Sequence, residues 1–568
     1  MMSGIKSKPI PIGIEFYKEM IDKGYYYIDK TMLIYDLLAQ KSKITLFTRP
    51  RRFGKTLAQS MLQAFFEEQI MPDGTRVDNS RYFKGKKIMD TGEEYICHMG
   101  KYPVIFLSLK SAKQPDYEMA YGSLIDDITK EYIRHRYVLS GKALLHEQKE
   151  QYSLIMGQKA NGLNYAKSIA FLSACLESYH HKKTVILIDE YDVPLENAYF
   201  EGFYDKMLKF MRSLFEAALK TNDSYEFAVV TGCLRISKES IFTGLNNLET
   251  VSVLDENYAE HFGFIQEEVD DMLSAYGISS RVEEVKKWYD GYLFGKTEVY
   301  NPWSMINYVK NIIYDNTDYP KPYWSNTSAN NIVHELVEKA DNITKCELEE
   351  LVAGGTIEKP IHEEITYADI DKSQDNLWNF LLFTGYLKAV KRRFENRIAY
   401  ISMKIPNEEI LYIYENIIQD WQRQKIEGAD FSELYNAIVQ GDTEMFECCI
   451  KEQLCESISF MDSAENFYHG FLLGILSAMQ GYEKLSNRES GEGRFDIVLK
   501  PYDEYKPAII LELKRVQKFM EMEGMCYKAL EQIEEKHYDA RLLDEGYCFI
   551  KKYGICFCKK SCMVKIKE

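Results

Sequence analysis

The segment Ile44-Thr45-Leu46-Phe47-Thr48-Arg49-Pro50-Arg51-Arg52-Phe53-Gly54-Lys55-Thr56 restricts this chain more than any other. An apolar, β-branched run predicts a buried strand, a basic loop follows it, and Gly-Lys-Thr opens a helical pattern. That is the strand, loop and helix context of a P-loop. Gly54 lets the backbone approach a phosphate, with Arg52 and Phe53 in the same loop, and the helix N-terminus offers unpaired N–H groups. Lys55 reaches the β/γ-phosphates of a nucleotide such as ATP, and the Thr56 hydroxyl can hold Mg²⁺. The pattern asks for Gly five positions before Gly54, and Arg49 stands there. A basic turn capping an ordinary helix is the bland alternative.

Thr184-Val185-Ile186-Leu187-Ile188-Asp189-Glu190-Tyr191-Asp192 supplies the expected acidic partner. Asp189, at the end of a buried strand, fits a Mg²⁺ ligand, direct or through water, and Glu190 fits the group that orients or deprotonates the attacking water. A further strand, Phe227 to Gly232, ends in Thr231 and is followed by Arg235, where a polar sensor of the γ-phosphate would sit. Thr231 as a simple strand-end cap remains open.

Buried runs spaced by helices predict a parallel α/β sheet over residues 1–260: Ile44–Thr48, Val104–Leu107, Val185–Ile188 and Phe227–Val230. Residues 261–460 read as mainly helical, with apolar spacing at Ile332, Val333, Leu336, Val337 and Ala340 and at Phe431, Leu434, Tyr435, Ile438 and Val439. From 461 onward a helix (Glu465 to Met479) precedes strands Arg494–Leu499 and Ala508–Leu513. A helix from Glu521 to Lys536 and strands Tyr547–Ile550 and Gly554–Phe557 complete a second α/β domain.

The N-terminus has no apolar leader-like stretch and no apolar run approaches the roughly 18 residues that span a bilayer, which predicts a cytoplasmic chain without membrane contact. In that compartment the Cys residues stay reduced, and Cys556-x-Cys558-x3-Cys562 lacks the paired spacing and fourth ligand of a zinc site.

The sequence resembles the predicted AAA-ATPase-like proteins of anaerobic bacteria at Tyr26-Tyr27-Ile28-Asp29-Lys30-Thr31, at Phe47 to Thr56, at Ile188 to Asp192 and at Thr231-Gly232-Cys233-Leu234-Arg235-Ile236-Ser237. The likeness continues through Trp288-Tyr289-Asp290-Gly291-Tyr292, Tyr300-Asn301-Pro302-Trp303-Ser304 and Ile405-Pro406-Asn407-Glu408-Glu409. It implies that Arg49 is a trait of the family. It also implies kinship with STAND-type signalling ATPases, whose nucleotide state controls a second domain and for which a homo-oligomer is plausible.

Near the C-terminus, Asp496 lies in Gly493-Arg494-Phe495-Asp496-Ile497-Val498-Leu499, and Glu512-Leu513-Lys514 follows on the next strand. Strand period puts Glu512 and Lys514 on one face, which Asp496 joins if the strands pair. Two carboxylates there can hold Mg²⁺ or Mn²⁺ at a scissile phosphate while Lys514 positions the nucleophile or steadies developing charge. Glu-x-Lys on an edge strand is also ordinary surface decoration.

The order Asp496, Glu512-Leu513-Lys514, Gln532-Ile533 and Lys536-His537-Tyr538 resembles the PD-(D/E)XK nuclease superfamily. Gln532 and Tyr538 are more widely spaced than the Gln-x3-Tyr of RecB-like nucleases and are carried over as supports. Glu465 could add a metal ligand from the preceding helix, or it is only a favourable charge in that helix's first turn. The expectation is an ATP-binding chain, with hydrolysis, regulating a metal-dependent nuclease on DNA or RNA, a combination suited to defence or mobile-element control. Two alternatives stand beside it: a STAND-like signalling or scaffold ATPase whose nuclease-like domain only binds a partner, and a nuclease whose P-loop binds nucleotide without turnover.

Charge bears on that expectation. The chain has 87 acidic and 70 basic residues, a net −17, which on average repels nucleic acid. From Lys41 to Thr56, however, there are six basic residues and no acidic one, and from Met461 to Glu568 there are 17 basic and 18 acidic. A near-neutral C-terminal domain predicts modest, salt-sensitive nucleic-acid binding.

Overall fold

The computed structural model describes residues 8–234, 241–242, 245, 247–315, 319–324, 333–334, 337–338, 341–363, 367, 369, 373–456, 465–486, 489–490, 493–503 and 505–567. Two compact units result: Met1–Ser328 with Thr356–Tyr412, and Ala329–Gly355 with Ile413–Glu568. Among the described residues, no helix is long and apolar enough to cross a membrane.

The first unit is built on a five-stranded parallel sheet in the order Val104–Ser108, Thr184–Asp189, Tyr225–Gly232, Ile44–Thr48, Leu248–Val251. Its central strands are apolar because helices cover both faces, and the Ile44–Thr48 and Thr184–Asp189 strands are buried throughout. The Tyr225–Gly232 strand lies between them. Thr231 is therefore set between the loop after Thr48 and the acid at Asp189. The helical stretch expected after residue 260 is present, for instance Pro302–Tyr314 and Glu408–Gly428. It also carries a three-stranded antiparallel sheet (Ile357–Pro360, Lys388–Glu395, Ile398–Lys404), which the sequence did not announce. Lys388–Glu395 is mostly charged and exposed, so no apolar alternation marks it.

The second unit holds a mixed sheet in the order Tyr482–Ser486, Ile497–Pro501, Ala508–Arg515, Ile550–Cys558, Ser561–Lys567. Only the pairing of Ala508–Arg515 with Ile550–Cys558 is parallel. The helix Met522–Glu535 links these two strands and packs on one face, while Glu465–Ser477 contributes to the core on the other.

Two expectations need correction here, the first being the strand expected at Arg494–Leu499, which runs Ile497–Pro501 with Asp496 just before it. The strands expected at Tyr547–Ile550 and Gly554–Phe557 are one strand, Ile550–Cys558. The charged Lys551-Lys552 pair lies inside it, where Lys552 is satisfied by Glu534 at 2.5 Å and Asp539 at 2.7 Å. A final strand, Ser561–Lys567, pairs with it and was not foreseen.

Gly554 is needed because the linking helix lies close over the strand, and a Cβ there would stand 2.2 Å from the Cys526 carbonyl oxygen. Backbone cannot yield as a side-chain tip can. Gly554→Ala is expected to destabilise the second unit by about 1–3 kcal/mol, read as an earlier denaturant midpoint for that unit. An unchanged midpoint would show that the helix shifts freely.

Candidate functional sites

In the first unit, the loop between Thr48 and Lys55 takes the left-handed backbone at Arg52 (φ 70°) and Gly54 (φ 85°). Gly54 caps the helix Lys55–Phe66. Left-handed residues in such a loop turn backbone N–H groups toward a common concavity, which suits an anion. Lys55 is buried and its Nζ donates to the carbonyls of Arg49 and Pro50, each at 3.0 Å. The Thr56 hydroxyl donates to Asp189 Oδ2 at 2.7 Å, and the Thr231 hydroxyl to Asp189 Oδ1 at 2.5 Å. Thus Lys55, Thr56, Asp189 and Thr231 meet at the C-terminal edge of the sheet. Glu190 follows Asp189 in left-handed backbone (φ 55°), half-buried. Arg235 lies outside the described residues.

Burial and the neighbouring Glu190 charge push the Asp189 carboxyl up to about 6, against the two hydroxyl donors. The same causes push Asp192 up to about 7. Hydroxyl and carboxylate oxygens gathered at a helix N-terminus are the hard donor set that Mg²⁺ prefers, and a cation would relieve these buried acids. The arrangement therefore fits Mg²⁺ and a nucleotide phosphate.

Sequence reasoning gave no role to Asp192, Gln59 or Trp303. Asp192 Oδ2 accepts from the N–H groups of Cys233 at 2.7 Å and Leu234 at 3.0 Å, tying down the chain just past Thr231. Gln59 donates to Ile188 O at 3.3 Å and Val229 O at 3.2 Å, bridging two strands beneath the site. Its place one and two turns before Leu62 and Phe66 was the available signal. Trp303, placed by the Asn301 cap at the start of its helix, lies under the Arg52 guanidinium, 4.3 Å from ring centre.

The motifs around Asp290, Asn301 and Glu409 converge behind the same loop. Phe53 is buried with its ring against Tyr292 and Phe294, which leaves its backbone as the part facing the concavity. The Arg49 guanidinium is turned away from it, bonded to the Ser252 carbonyl and 4.7 Å above Phe294. Arg49 thus anchors the loop from behind, in place of the glycine the pattern asks for. Asn407 donates to Asp290 O at 2.8 Å, and Glu409 accepts from the Ser304 hydroxyl at 2.8 Å and from the Trp324 N–H at 2.9 Å.

Glu409 is fully buried, and burial pushes its carboxyl up to about 7 despite those donors. The folded state then keeps a proton that the unfolded chain releases near the ordinary carboxyl value, so the residue's contribution to stability falls as pH rises from about 4.5 to 7. Glu409→Gln is expected to flatten that part of the stability profile. Denaturant midpoints across this range check it, and parallel profiles for the two proteins would contradict the assignment.

In the second unit, register pairs Ile497 with Leu511 and carries Asp496 to the end of the sheet where Leu513 lies. Asp496 Oδ2 accepts from the Leu513 N–H at 2.8 Å. Leu511 and Leu513 enter the core on one face, so Glu512 and Lys514 share the opposite face with the Met522–Glu535 helix. Glu512 is 2% exposed, and its Oε1 accepts from Lys514 Nζ at 2.9 Å and Gln532 Nε2 at 2.5 Å. Its Oε2 is buried with no hydrogen-bond partner. Burial, then the charge of Asp496, pushes Glu512 up to about 7 against the pull of Lys514.

A buried carboxylate oxygen without a donor, beside a second carboxylate, fits a divalent cation. Among the described residues no group of three metal-ligating side chains forms, so Asp496 and Glu512 are the protein's described share of such a site. Gln532 reaches both Glu512 and the Tyr538 hydroxyl, the latter at 3.1 Å. Their wider spacing is absorbed where the helix ends and His537 turns in left-handed backbone (φ 49°).

Glu465 begins its helix, but its side chain lies outside the described residues. One turn on, His469 was missed. Its Nε2 donates to the Asp496 carbonyl at 3.1 Å and lies 3.0 Å from the Ser486 hydroxyl, holding the strand entry that carries Asp496. A histidine on the helix preceding the acidic strand pair was the signal. Cys556, Cys558 and Cys562 are buried free thiols.

Residues 11–242 match the family described as predicted AAA-ATPase, and residues 463–567 match the PD-(D/E)XK nuclease superfamily. The chain thus carries an AAA-ATPase-like domain and a C-terminal PD-(D/E)XK nuclease superfamily domain. It is 26% identical over 350 residues to an uncharacterized protein in the vnfD 5′ region of Azotobacter chroococcum mcd 1, a match covering 61% of this chain and 59% of that protein's length.

Proposed function

We propose that this chain binds and hydrolyses ATP in its first unit and, under that control, cleaves DNA or RNA phosphodiesters in its second. The observation that supports the nuclease most is the orphaned Glu512 Oε2 beside Asp496, with Lys514 on the same carboxylate. Asp496 and Glu512 would hold Mg²⁺ or Mn²⁺. When bound, that ion supplies charge neutralisation at the scissile phosphate and a more acidic water. Lys514 orients the attacking water and meets the negative charge on the non-bridging phosphate oxygens of the transition state. Gln532 fixes the Glu512 rotamer, Tyr538 supports Gln532, and His469 steadies Asp496 through its backbone.

In the first unit, Lys55 and the N–H groups of Arg52 to Thr56 would bind the nucleotide phosphates. Thr56 and Asp189 would hold its Mg²⁺, Thr231 would report the γ-phosphate through Asp189, and Glu190 would orient the attacking water. The test is one assay with single- and double-stranded DNA and RNA, with ATP and divalent metal each present or withheld, reading nucleic-acid cleavage and ATP turnover together. Metal-dependent cleavage with ATP turnover is expected. ATP turnover with no cleavage of any substrate would favour a signalling ATPase, and cleavage without turnover would leave the P-loop a nucleotide-binding element only.

A further inference from the structure

The strand bearing Glu512 and Lys514 ends at Arg515, and a 3-10 turn over Phe519–Glu521 leads into the α-helix that begins at Met522. Val516 and Met522 bury themselves in one apolar cluster with Cys526, Cys556 and Cys558. Cys556 is the cross-strand neighbour of Lys514. Residues 517–521 therefore leave and return at the level of Lys514, closed by a single turn with the Glu521 N–H on the Lys518 carbonyl at 3.0 Å. At its tip Phe519 is 61% exposed and Met520 95%. Two large apolar side chains are thus held in water just past the strand that carries Glu512 and Lys514, and they call for an occupant.

Charge selects the kind. From Leu513 through Glu521 there are three basic residues, Lys514, Arg515 and Lys518, against one acidic residue, Glu521, at the end of the tip. The exposed Tyr502 and Tyr505 lie in the turn between Ile497–Pro501 and Ala508–Arg515, at the opposite end of that hairpin from Asp496. The site end thus combines one exposed ring, Phe519, with the unburied cation Lys518 beside it. A domain near neutral overall gains little from a long run of duplex phosphates, whereas stacking on unpaired bases needs only an exposed ring and local cations.

Building on the nuclease reading, we propose that the 517–521 tip is a base platform: Phe519 stacks on an unpaired nucleobase next to the phosphate being cut, Met520 packs beside it, and Lys518 meets the backbone. The preferred substrate is then a single strand or a frayed end rather than an intact duplex.

The test uses the full-length Asp496→Ala protein and fluorescently labelled oligonucleotides: single-stranded, duplex of the same sequence, and single-stranded with abasic positions. Single-stranded binding is expected to be the tightest. Phe519→Ala should weaken it about tenfold while Phe519→Trp retains it. The abasic strand should bind weakly and be indifferent to Phe519→Ala. Equal loss on natural and abasic strands, no loss, or preference for duplex would overturn the platform. With Asp496 restored, cleavage at subsaturating single strand separates the two ideas. Equal cutting by Phe519→Ala and the unaltered chain refutes the platform and keeps the nuclease; no cutting by the unaltered chain, with the stacking pattern intact, refutes the nuclease and keeps the platform.

Discussion

Asp496→Ala and Lys514→Ala are each expected to lower metal-dependent cleavage by at least roughly a hundred- to thousand-fold, the scale seen when a preorganised charge is removed from a reacting centre. The two should fail differently. Asp496 is one of two carboxylates for the ion and also the acceptor of the Leu513 N–H, so its loss should weaken Mn²⁺ binding, measured by calorimetry. Lys514 donates to Glu512 Oε1, which Gln532 also holds. Its loss should leave the ion bound while the chemistry stops. Gln532→Ala is intermediate: Glu512 keeps Lys514 but loses the contact that fixes its rotamer. Cleavage persisting in both the Asp496 and Lys514 variants would remove this site from the reaction.

Lys55→Ala is expected to abolish ATP turnover and most nucleotide affinity, since it removes the buried ammonium set among the Arg49 and Pro50 carbonyls. A charged hydrogen bond of this kind contributes roughly 1.5–3 kcal/mol, about ten- to a hundredfold in affinity. Glu190→Gln should bind ATP about as well as the unaltered chain, yet lose roughly a hundredfold or more in turnover, because the amide cannot take a proton from water. If Glu190→Gln turns over ATP at the original rate, the water-orienting group is another residue.

Much of both sites was legible because each rests on short local patterns. Gly54-Lys55-Thr56 and Asp189-Glu190 sit at strand ends, and Glu512-Leu513-Lys514 declares its shared face through period two. The pairing that brings Asp496 to that face follows from register. What stayed hidden depends on distant partners. Arg49 acquires its anchoring role only through Ser252 and Phe294, and His469 only through the Asp496 carbonyl. The same holds for elements: the continuity of Ile550–Cys558 through Lys551-Lys552 rests on Glu534 and Asp539, which reach Lys552 from outside the strand. The sheet at Lys388–Glu395 escaped because its charged residues face solvent, where no burial pattern is written into the chain.

Control of the nuclease by nucleotide is tested most directly by single-turnover cleavage of a labelled single strand by the full-length chain at saturating Mg²⁺, with and without ATP, alongside Lys55→Ala. Both proteins should cut, and cleavage should respond to ATP only in the chain with Lys55. Cleavage of no strand under any condition, or an ATP response undiminished in Lys55→Ala, would contradict the account.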